Sequence, residues 1–241
     1  MSEKQDAKRI WNNILKSAIA LPGIAIDRET FLRKELRKFC DETTLEKVVK
    51  ENPTKYINKS EAAKIAKGCI NYHLTLVTGV SALAGLPGGW AMLATIPADL
   101  TQFYGHVLAL AQKLMYIYGA PNIKNERDDI DDDTLAYLTV FVGVMMGVEL
   151  AENAMRHLLN EFSKVVAKRL PKVALTKYSI FNLAKSIATL MGEKMTKETF
   201  SKGAGKMVPI IGAPISGATT YWTFKPMACK LKNKLEKEVY G

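Results

Sequence analysis

One stretch of this chain carries no formal charge over 31 residues, from Gly68 to Ala98. A charge-free stretch of this length either crosses a membrane or must be covered by other parts of the protein. The interruption Leu86-Pro87-Gly88-Gly89 divides it, because proline and glycine break a regular helix. The part before this break also contains polar side chains, among them Asn71 and His73. It therefore predicts a buried helix of a folded domain better than a membrane-spanning helix.

Residues that start and end helices recur along the whole chain, and alternating strand patterns bounded by tight turns are missing from the sequence. The sequence therefore predicts an all-α fold. We expect a single multi-helix domain, 1–241, with apolar, glycine-containing central helices and basic peripheral helices. Charged N-terminal helices are expected over 1–60, apolar core helices over 61–162 and basic C-terminal helices over 163–241.

Helix boundaries are predicted from capping residues and helix breakers. Side chains that accept hydrogen bonds from free backbone N–H groups mark helix starts, here Asp27, Thr43 with Glu46, and Asn58 with Glu61. Glycine past the last turn marks a helix end, here Gly119 and Gly192. Further helices are predicted at about 5–20, 96–118, 134–148, 172–191 and 226–238. The helices within 68–85, 96–118 and 134–150 are expected to form the core.

The net charge of +10 is unevenly spread, since residues 164–241 hold 15 basic and 4 acidic side chains, whereas residues 122–163 hold 3 and 9. A basic region beside long apolar segments favours an anionic membrane surface as partner. Nucleic acid is not expected, because the basic residues are not interleaved with stacking aromatic residues. Three scattered cysteines and a start without signal-peptide stages predict a reducing compartment. We therefore expect a cytoplasmic protein, peripheral to the inner face of the cell membrane.

A polar stripe on the helix predicted over 96–118 is the best candidate site. Its side chains share one helical face at offsets of 0, 3, 7 and 14 residues: Asp99, Gln102, His106 and Lys113. A second polar set at the end of the apolar helix is a possible partner: Glu149, Glu152, Asn153 and Arg156. Two interpretations stay open. The stripe lines a ligand-binding or acid–base site, or it is a structural network that holds two helices in register. His73 is expected to be a satisfied core residue.

Two glycine patterns and one acidic cluster complete the candidates. The turn Gly85-Leu86-Pro87-Gly88-Gly89 is interpreted as a structural link between helices or as a cradle for an anion ahead of a helix. The acids within 128–133 lack the spacing of a calcium loop, so they are expected to complement a helix N-terminus. Gly143 and Gly147 permit a close contact between helices. No metal or cofactor motif is found in the sequence, and none is predicted.

The segment 80–119, VSALAGLPGGWAMLATIPADLTQFYGHVLALAQKLMYIYG, resembles the EcsC family of bacterial proteins. Members carry a similar AGxPGG turn, a PAD helix start and a QK…YG ending. The likeness continues in LPGIAIDRETFL near the start, in ALTK at 174–177, in GEKMTK at 192–197 and in KMVPIIGAPISGATTYWTFKPMA near the end. The resemblance implies an all-α bacterial domain, named after an operon that encodes an ABC transporter. It implies no particular reaction.

Three hypotheses about function follow. The first is a non-enzymatic, membrane-associated accessory protein that assists an ABC transporter or another membrane-protein complex. The second is an enzyme or a lipid- or small-ligand-binding protein that uses the polar stripe around Asp99 and His106 in an apolar cavity; its ligand is not specified by the sequence. The third is insertion of the apolar segments into the bilayer as helical hairpins.

Overall fold

The computed structural model describes residues 3–83, 98–123, 131–163, 179–200 and 217–241. These residues form helices joined by turns and contain no β-strand, which confirms the all-α prediction. The helices are α1 (Glu3–Ile19), α2 (Arg28–Leu36), α3 (Glu42–Lys50), α4 (Lys59–Leu83), α5 (Ala98–Ile117), α6 (Asp132–Met145), α7 (Glu149–Ser163), α8 (Ser179–Phe200) and α9 (Gly217–Tyr240). A short 3-10 helix, Pro53–Lys55, precedes α4.

Two of the predicted helix starts are confirmed by their capping hydrogen bonds. The Asp27 carboxylate accepts from the Thr30 N–H at 2.8 Å and opens α2. Before α4, the Asn58 side chain accepts from the Glu61 N–H at 3.1 Å, and the Glu61 carboxylate accepts from the Asn58 N–H at 2.8 Å. Each of the two side chains thereby satisfies the backbone N–H of the other residue, as the capping-box pattern predicts.

The predicted start of α3 was wrong. Asp41 caps this helix, because its carboxylate accepts from the Thr44 N–H at 2.8 Å. Glu46 does not reach back to the helix start, since its carboxylate accepts a hydrogen bond from Arg33 at 2.5 Å. Because the helix begins at Glu42, Glu46 is its fifth residue and lies two residues beyond the position that a capping box requires.

Helices α5 and α6 form the centre of the bundle. Every residue of α6 from Thr134 to Met145 is buried, and most of α5 is buried as well. Helix α4 packs against α5 and α9, but its other face is exposed, and Tyr72 on that face is 57% exposed. The prediction of a central position therefore holds for α5 and α6, whereas α4 lies at the edge of the core.

Glycines set two helix ends and two close approaches. Gly119 (φ +99°) follows α5 and Gly147 (φ +72°) follows α6, both in the left-handed region that glycine tolerates best. At Gly143 a Cβ would lie 2.8 Å from the Ala151 Cβ on α7, whereas at Gly147 it would meet the end of the Lys230 side chain of α9 at 2.6 Å. Gly192 does not end a helix as predicted. It lies inside α8, where a Cβ would clash with the Ala7 carbonyl oxygen of α1.

Aromatic contacts define the two ends of the bundle. At one end, the rings of Phe103 near the start of α5 and Phe224 near the start of α9 lie 6.0 Å apart. At the other end, Tyr118 lies 6.2 Å from Tyr240, whose hydroxyl donates to the Ile57 carbonyl oxygen at 3.0 Å. Helices α5 and α9 therefore run in the same direction, and α4 runs against them.

Candidate functional site

The polar stripe predicted on α5 is divided by the fold. His106 and Lys113 are half-buried, whereas Gln102 is exposed. Asp99 belongs to the first turn of α5, and its side chain lies outside the described part of the chain. Only the second half of the stripe is thus shown to face a neighbouring helix.

His73 of α4 brings His106 and Lys113 into one cluster. The Lys113 Nζ lies 2.9 Å from the His73 Nε2, and the His73 and His106 rings lie 5.7 Å apart. Since α4 and α5 are antiparallel, His73 sits beside both residues, although they are two turns apart on α5. We call His73, His106 and Lys113 the histidine–lysine cluster.

The hydrogen bond from Lys113 sets the protonation of His73. An ammonium group can only donate, so the His73 Nε2 accepts and the ring proton is assigned to Nδ1. That Nδ1 is buried without a hydrogen-bond partner among the described residues, and so is the Nδ1 of His106. The sequence prediction of a satisfied core histidine therefore covers only one of the two ring nitrogens of His73.

Burial makes the cluster less basic than its residues are in water. Desolvation, with smaller contributions from the charge of Lys113 and from His106, lowers the pKa of His73 to about 3. Desolvation followed by Lys113 lowers the pKa of His106, and desolvation lowers the pKa of Lys113 itself. Both imidazoles are consequently neutral near pH 7. The cluster therefore contains two neutral imidazole rings, which can each donate and accept a hydrogen bond, beside the amino group of Lys113.

The cluster reaches the surface along one side. The Lys113 Nζ lies 4.9 Å from the centre of the Tyr72 ring, and the exposed Tyr72 lies edge-on to His73 at 5.3 Å. On the inner side is Cys69, one turn before His73, where burial raises the pKa of the thiol to about 12. A neutral thiol is a poor nucleophile and a poor metal ligand. Among the described residues no group of three or more histidine, cysteine or acidic side chains is arranged to hold a metal ion.

The predicted partner set on α7 faces elsewhere. Glu149 and Asn153 are exposed. The Glu152 carboxylate accepts from Lys234 of α9 at 2.5 Å, and Arg156 donates to Glu238 of α9 at 2.7 Å. Glu152 and Arg156 thus connect α7 to α9 rather than to α5. The glycine turn with Gly85, Pro87, Gly88 and Gly89 lies outside the described residues.

The second half of α9, residues 226–240, uses several of its charges inside the protein. In addition to the Lys234–Glu152 pair, Lys232 lies 2.5 Å from Glu236, and the Tyr118 hydroxyl donates to Glu236 at 3.2 Å. Burial by itself raises the pKa of Glu236, but the interactions with Lys232 and Tyr118 outweigh it and lower the pKa below its ordinary value. Lys230 and Lys237 are exposed and have no carboxylate partner in the described part of the chain.

The first half of α9, residues 217–225, presents an exposed aromatic surface. Trp222 is 75% exposed, and the half-buried Tyr221 lies edge-on to it at 5.8 Å. The Lys225 Nζ donates to the Tyr221 hydroxyl at 2.6 Å and lies 4.9 Å from the centre of its ring. We call Tyr221, Trp222 and Lys225 the exposed aromatic surface. It lies at the end of the bundle where α5 begins, next to the Phe103–Phe224 contact.

None of the described helices combines the length and the apolar character that crossing a bilayer requires. No protein-family model matches the chain, and neither a curated protein nor a solved structure matches it.

Two residues of these sites were missed at the level of sequence. His73 was assigned to the core because its helix is apolar, yet two consecutive antiparallel helices bring it beside the α5 stripe. Trp222 belongs to 207–224, a run that its prolines and glycines exclude from forming one regular helix. Because α9 begins within that run, at Gly217, the exposed position of Trp222 on a helix was not predicted.

Proposed function

We propose that this protein is a non-enzymatic accessory protein that associates peripherally with an anionic membrane surface. The observation that carries the proposal is the exposure of Trp222, of which 75% is open to solvent. Burying so large an apolar side chain against a partner is favourable by about 1.5–3 kcal/mol. A ring of this kind, left in water by the fold, is typical of a contact surface.

The neighbours of Trp222 favour a membrane as that partner. Tryptophan and tyrosine rings are enriched at the level of lipid headgroups, where an apolar ring and a polar edge are both satisfied. Lys225 adds a positive charge beside these rings, and anionic lipids attract lysine near the surface. An amphipathic aromatic pair with an adjacent lysine supports interfacial binding rather than insertion across the bilayer.

The cellular setting is proposed from the resemblance to the EcsC family. That likeness supports a bacterial protein at the inner face of the cell membrane, where it assists an ABC transporter or another membrane-protein complex. The basic composition of residues 164–241 is consistent with this setting.

Flotation with lipid vesicles tests the proposal. The full chain should float with phosphatidylglycerol vesicles at low salt, and high salt should release it, because salt screens exposed charges. Trp222→Ala should weaken binding about tenfold or more. Tyr72→Ala is the matched control, since it removes an exposed ring from another face. Equal binding to neutral vesicles, or binding that resists both high salt and alkaline carbonate, contradicts peripheral, charge-dependent contact.

A second candidate function is small-ligand binding at the histidine–lysine cluster. It is favoured by the buried Nδ1 atoms of His73 and His106, which have no partner among the described residues. A carboxylate or phosphate group would accept from the His73 Nδ1–H, and the charge of Lys113 on the other side of the ring would attract it. Acetate and phosphate are suitable probes, and saturable shifts of the two imidazole resonances that disappear in Lys113→Met support the site. Unchanged resonances at millimolar probe concentrations identify the cluster as a structural contact.

A further inference from the structure

An open groove lies between α1, α6 and α8, and the space within it is about 150 Å³. Its floor is formed by buried residues of α6 and α8, which are Leu135, Ala136, Thr139, Ala184 and Ala188. Its rim carries polar and charged side chains, which are Lys8, Asn12, Lys16, Asp132 and Lys185. The ring of Phe181 completes one wall.

The floor is apolar and has no free hydrogen-bonding group of its own. The only polar side chain in it, Thr139, accepts from the Trp11 indole N–H at 3.1 Å and donates to the Leu135 carbonyl oxygen at 2.8 Å. The remaining floor residues are one leucine and three alanines, and the small alanine side chains leave the space between the helices unfilled. A site of this composition favours an apolar group.

The rim is positively charged. Lys8 and Lys185 have no carboxylate partner among the described residues, and the Lys185 Nζ lies 4.4 Å from the centre of the Phe181 ring. Lys16 lies 3.8 Å from Asp132, a long contact between two exposed side chains. Three lysines and one aspartate therefore surround the apolar floor, with the half-buried Asn12 amide between them.

We propose that this groove binds a small organic anion, with its carboxylate or phosphate held by Lys8 and Lys185 and its apolar group on the alanine floor. The volume limits the size of that group. An engineered protein cavity of about 150 Å³ binds benzene, whereas drug-sized ligands occupy about 300–1,000 Å³. The apolar part is thus a short alkyl chain or a single ring. The site is separate from the exposed aromatic surface and does not depend on membrane binding.

Isothermal titration of the full chain with hexyl phosphate tests the proposal. Hexyl phosphate should bind at least tenfold more tightly than either inorganic phosphate or 1-hexanol, because only the whole ligand uses both the rim and the floor. Raising the salt concentration should weaken it. If inorganic phosphate binds as tightly as hexyl phosphate, the groove is a surface that attracts any anion. If 1-hexanol binds as tightly as hexyl phosphate, the lysines have no role. Either result overturns the proposal.

Variants locate the binding. Lys8→Gln combined with Lys185→Gln should weaken hexyl phosphate binding at least tenfold without changing the melting temperature, while Lys67→Gln on the exposed face of α4 is the matched control. Ala188→Leu should fill the floor and abolish binding; if it fails to fold, the lysine variants alone decide. Trp222→Ala should leave the affinity unchanged. A loss of affinity in Trp222→Ala, or none in the lysine pair, places the ligand elsewhere and refutes the groove.

Discussion

Pro226 divides α9 into two halves with different surroundings. Proline has no N–H, so it removes the hydrogen bond that would return to the carbonyl of Trp222. After it, Leu231 and Leu235 are fully buried, and Lys232 and Lys234 contact carboxylates. Before it, the tryptophan ring and Lys225 lie open to solvent. The second half is held by these contacts, whereas the first half packs Phe224 against Phe103 and leaves Trp222 and Lys225 available to a partner.

This difference changes how the net charge should be interpreted. The sequence alone suggests that the whole basic C-terminal region attracts an anionic surface. In the structure, Lys232 and Lys234 are paired with Glu236 and Glu152, so their fields are largely cancelled. Paired charges on a protein surface contribute little to long-range attraction. The affinity for a membrane is thus expected to depend on Trp222 and on the unpaired lysines rather than on the total charge.

The largest difference between the halves is expected in stability. Leu231→Ala should cost about 2–5 kcal/mol of unfolding free energy, because it leaves a cavity at a fully buried position. Trp222→Ala should change the unfolding free energy by no more than about 0.5 kcal/mol, as surface substitutions do. Urea denaturation measures both values. Similar losses in the two variants contradict the division of α9.

Acid should weaken the bundle through His73, on the helix against which α9 packs. The pKa of His73 is about 3 in the folded protein, well below its ordinary value near 6.5. Below pH 6.5 the unfolded chain takes up a proton that the folded chain does not, so stability is complete above pH 6.5 and declines as the pH falls toward 3. The loss from His73 should be about 1.4 kcal/mol per pH unit, or about 2 kcal/mol at pH 5.

His73→Asn separates this effect from other titrations. Asparagine can still accept from Lys113 but does not titrate, so its unfolding free energy should fall less steeply between pH 6.5 and 5. The window stays above the titration of Glu236, whose pKa is lowered by Lys232. Identical pH dependence of the two proteins would remove His73 from the acid response.

A smaller effect is expected at Glu236, in the second half of α9. Glu236→Gln removes the charge that pairs with Lys232 and accepts from Tyr118. Because the site is partly open to water, the expected cost is about 1 kcal/mol. Vesicle binding should be unchanged or slightly stronger, since Lys232 becomes unpaired. A strong gain of binding would show that this half also contacts the membrane.

The smallest effect on stability is expected at Lys225, in the first half. Lys225→Gln should leave the urea midpoint unchanged and weaken binding to anionic vesicles severalfold, because it removes one charge next to the interfacial rings. Lys237→Gln is the matched control, as Lys237 is exposed near the other end of the same helix. If both substitutions weaken binding equally, the attraction depends on total charge and not on the exposed aromatic surface.

The sequence predicted local features better than contacts between distant segments. The capping pair Asn58 and Glu61 was predicted because both partners lie within one turn. Asp41 was missed as the cap of α3, because Thr43 and Glu46 match the pattern of a capping box two residues later. Gly192 was predicted to end a helix, since a close approach to Ala7 across 185 residues leaves no local pattern.

The candidate sites show the same limit. His106 and Lys113 were predicted from their shared face on α5, a property of one helix. Their meeting with His73 depends on how α4 aligns with α5, and the spacing within either helix does not determine that alignment. The groove between α1, α6 and α8 depends on three distant segments, and no pattern within one of them predicts it.

The fluorescence of Trp222 tests membrane contact most directly. The chain has three tryptophans, Trp11, Trp90 and Trp222. Trp222→Phe removes only the last, so the difference between the emission of the natural chain and of this variant isolates the exposed ring. When phosphatidylglycerol vesicles are added at low salt, this difference emission should shift to shorter wavelength and be quenched by brominated lipid chains, and high salt should reverse both changes. An unshifted, unquenched Trp222 in a protein that still floats with the vesicles would contradict contact through the exposed aromatic surface.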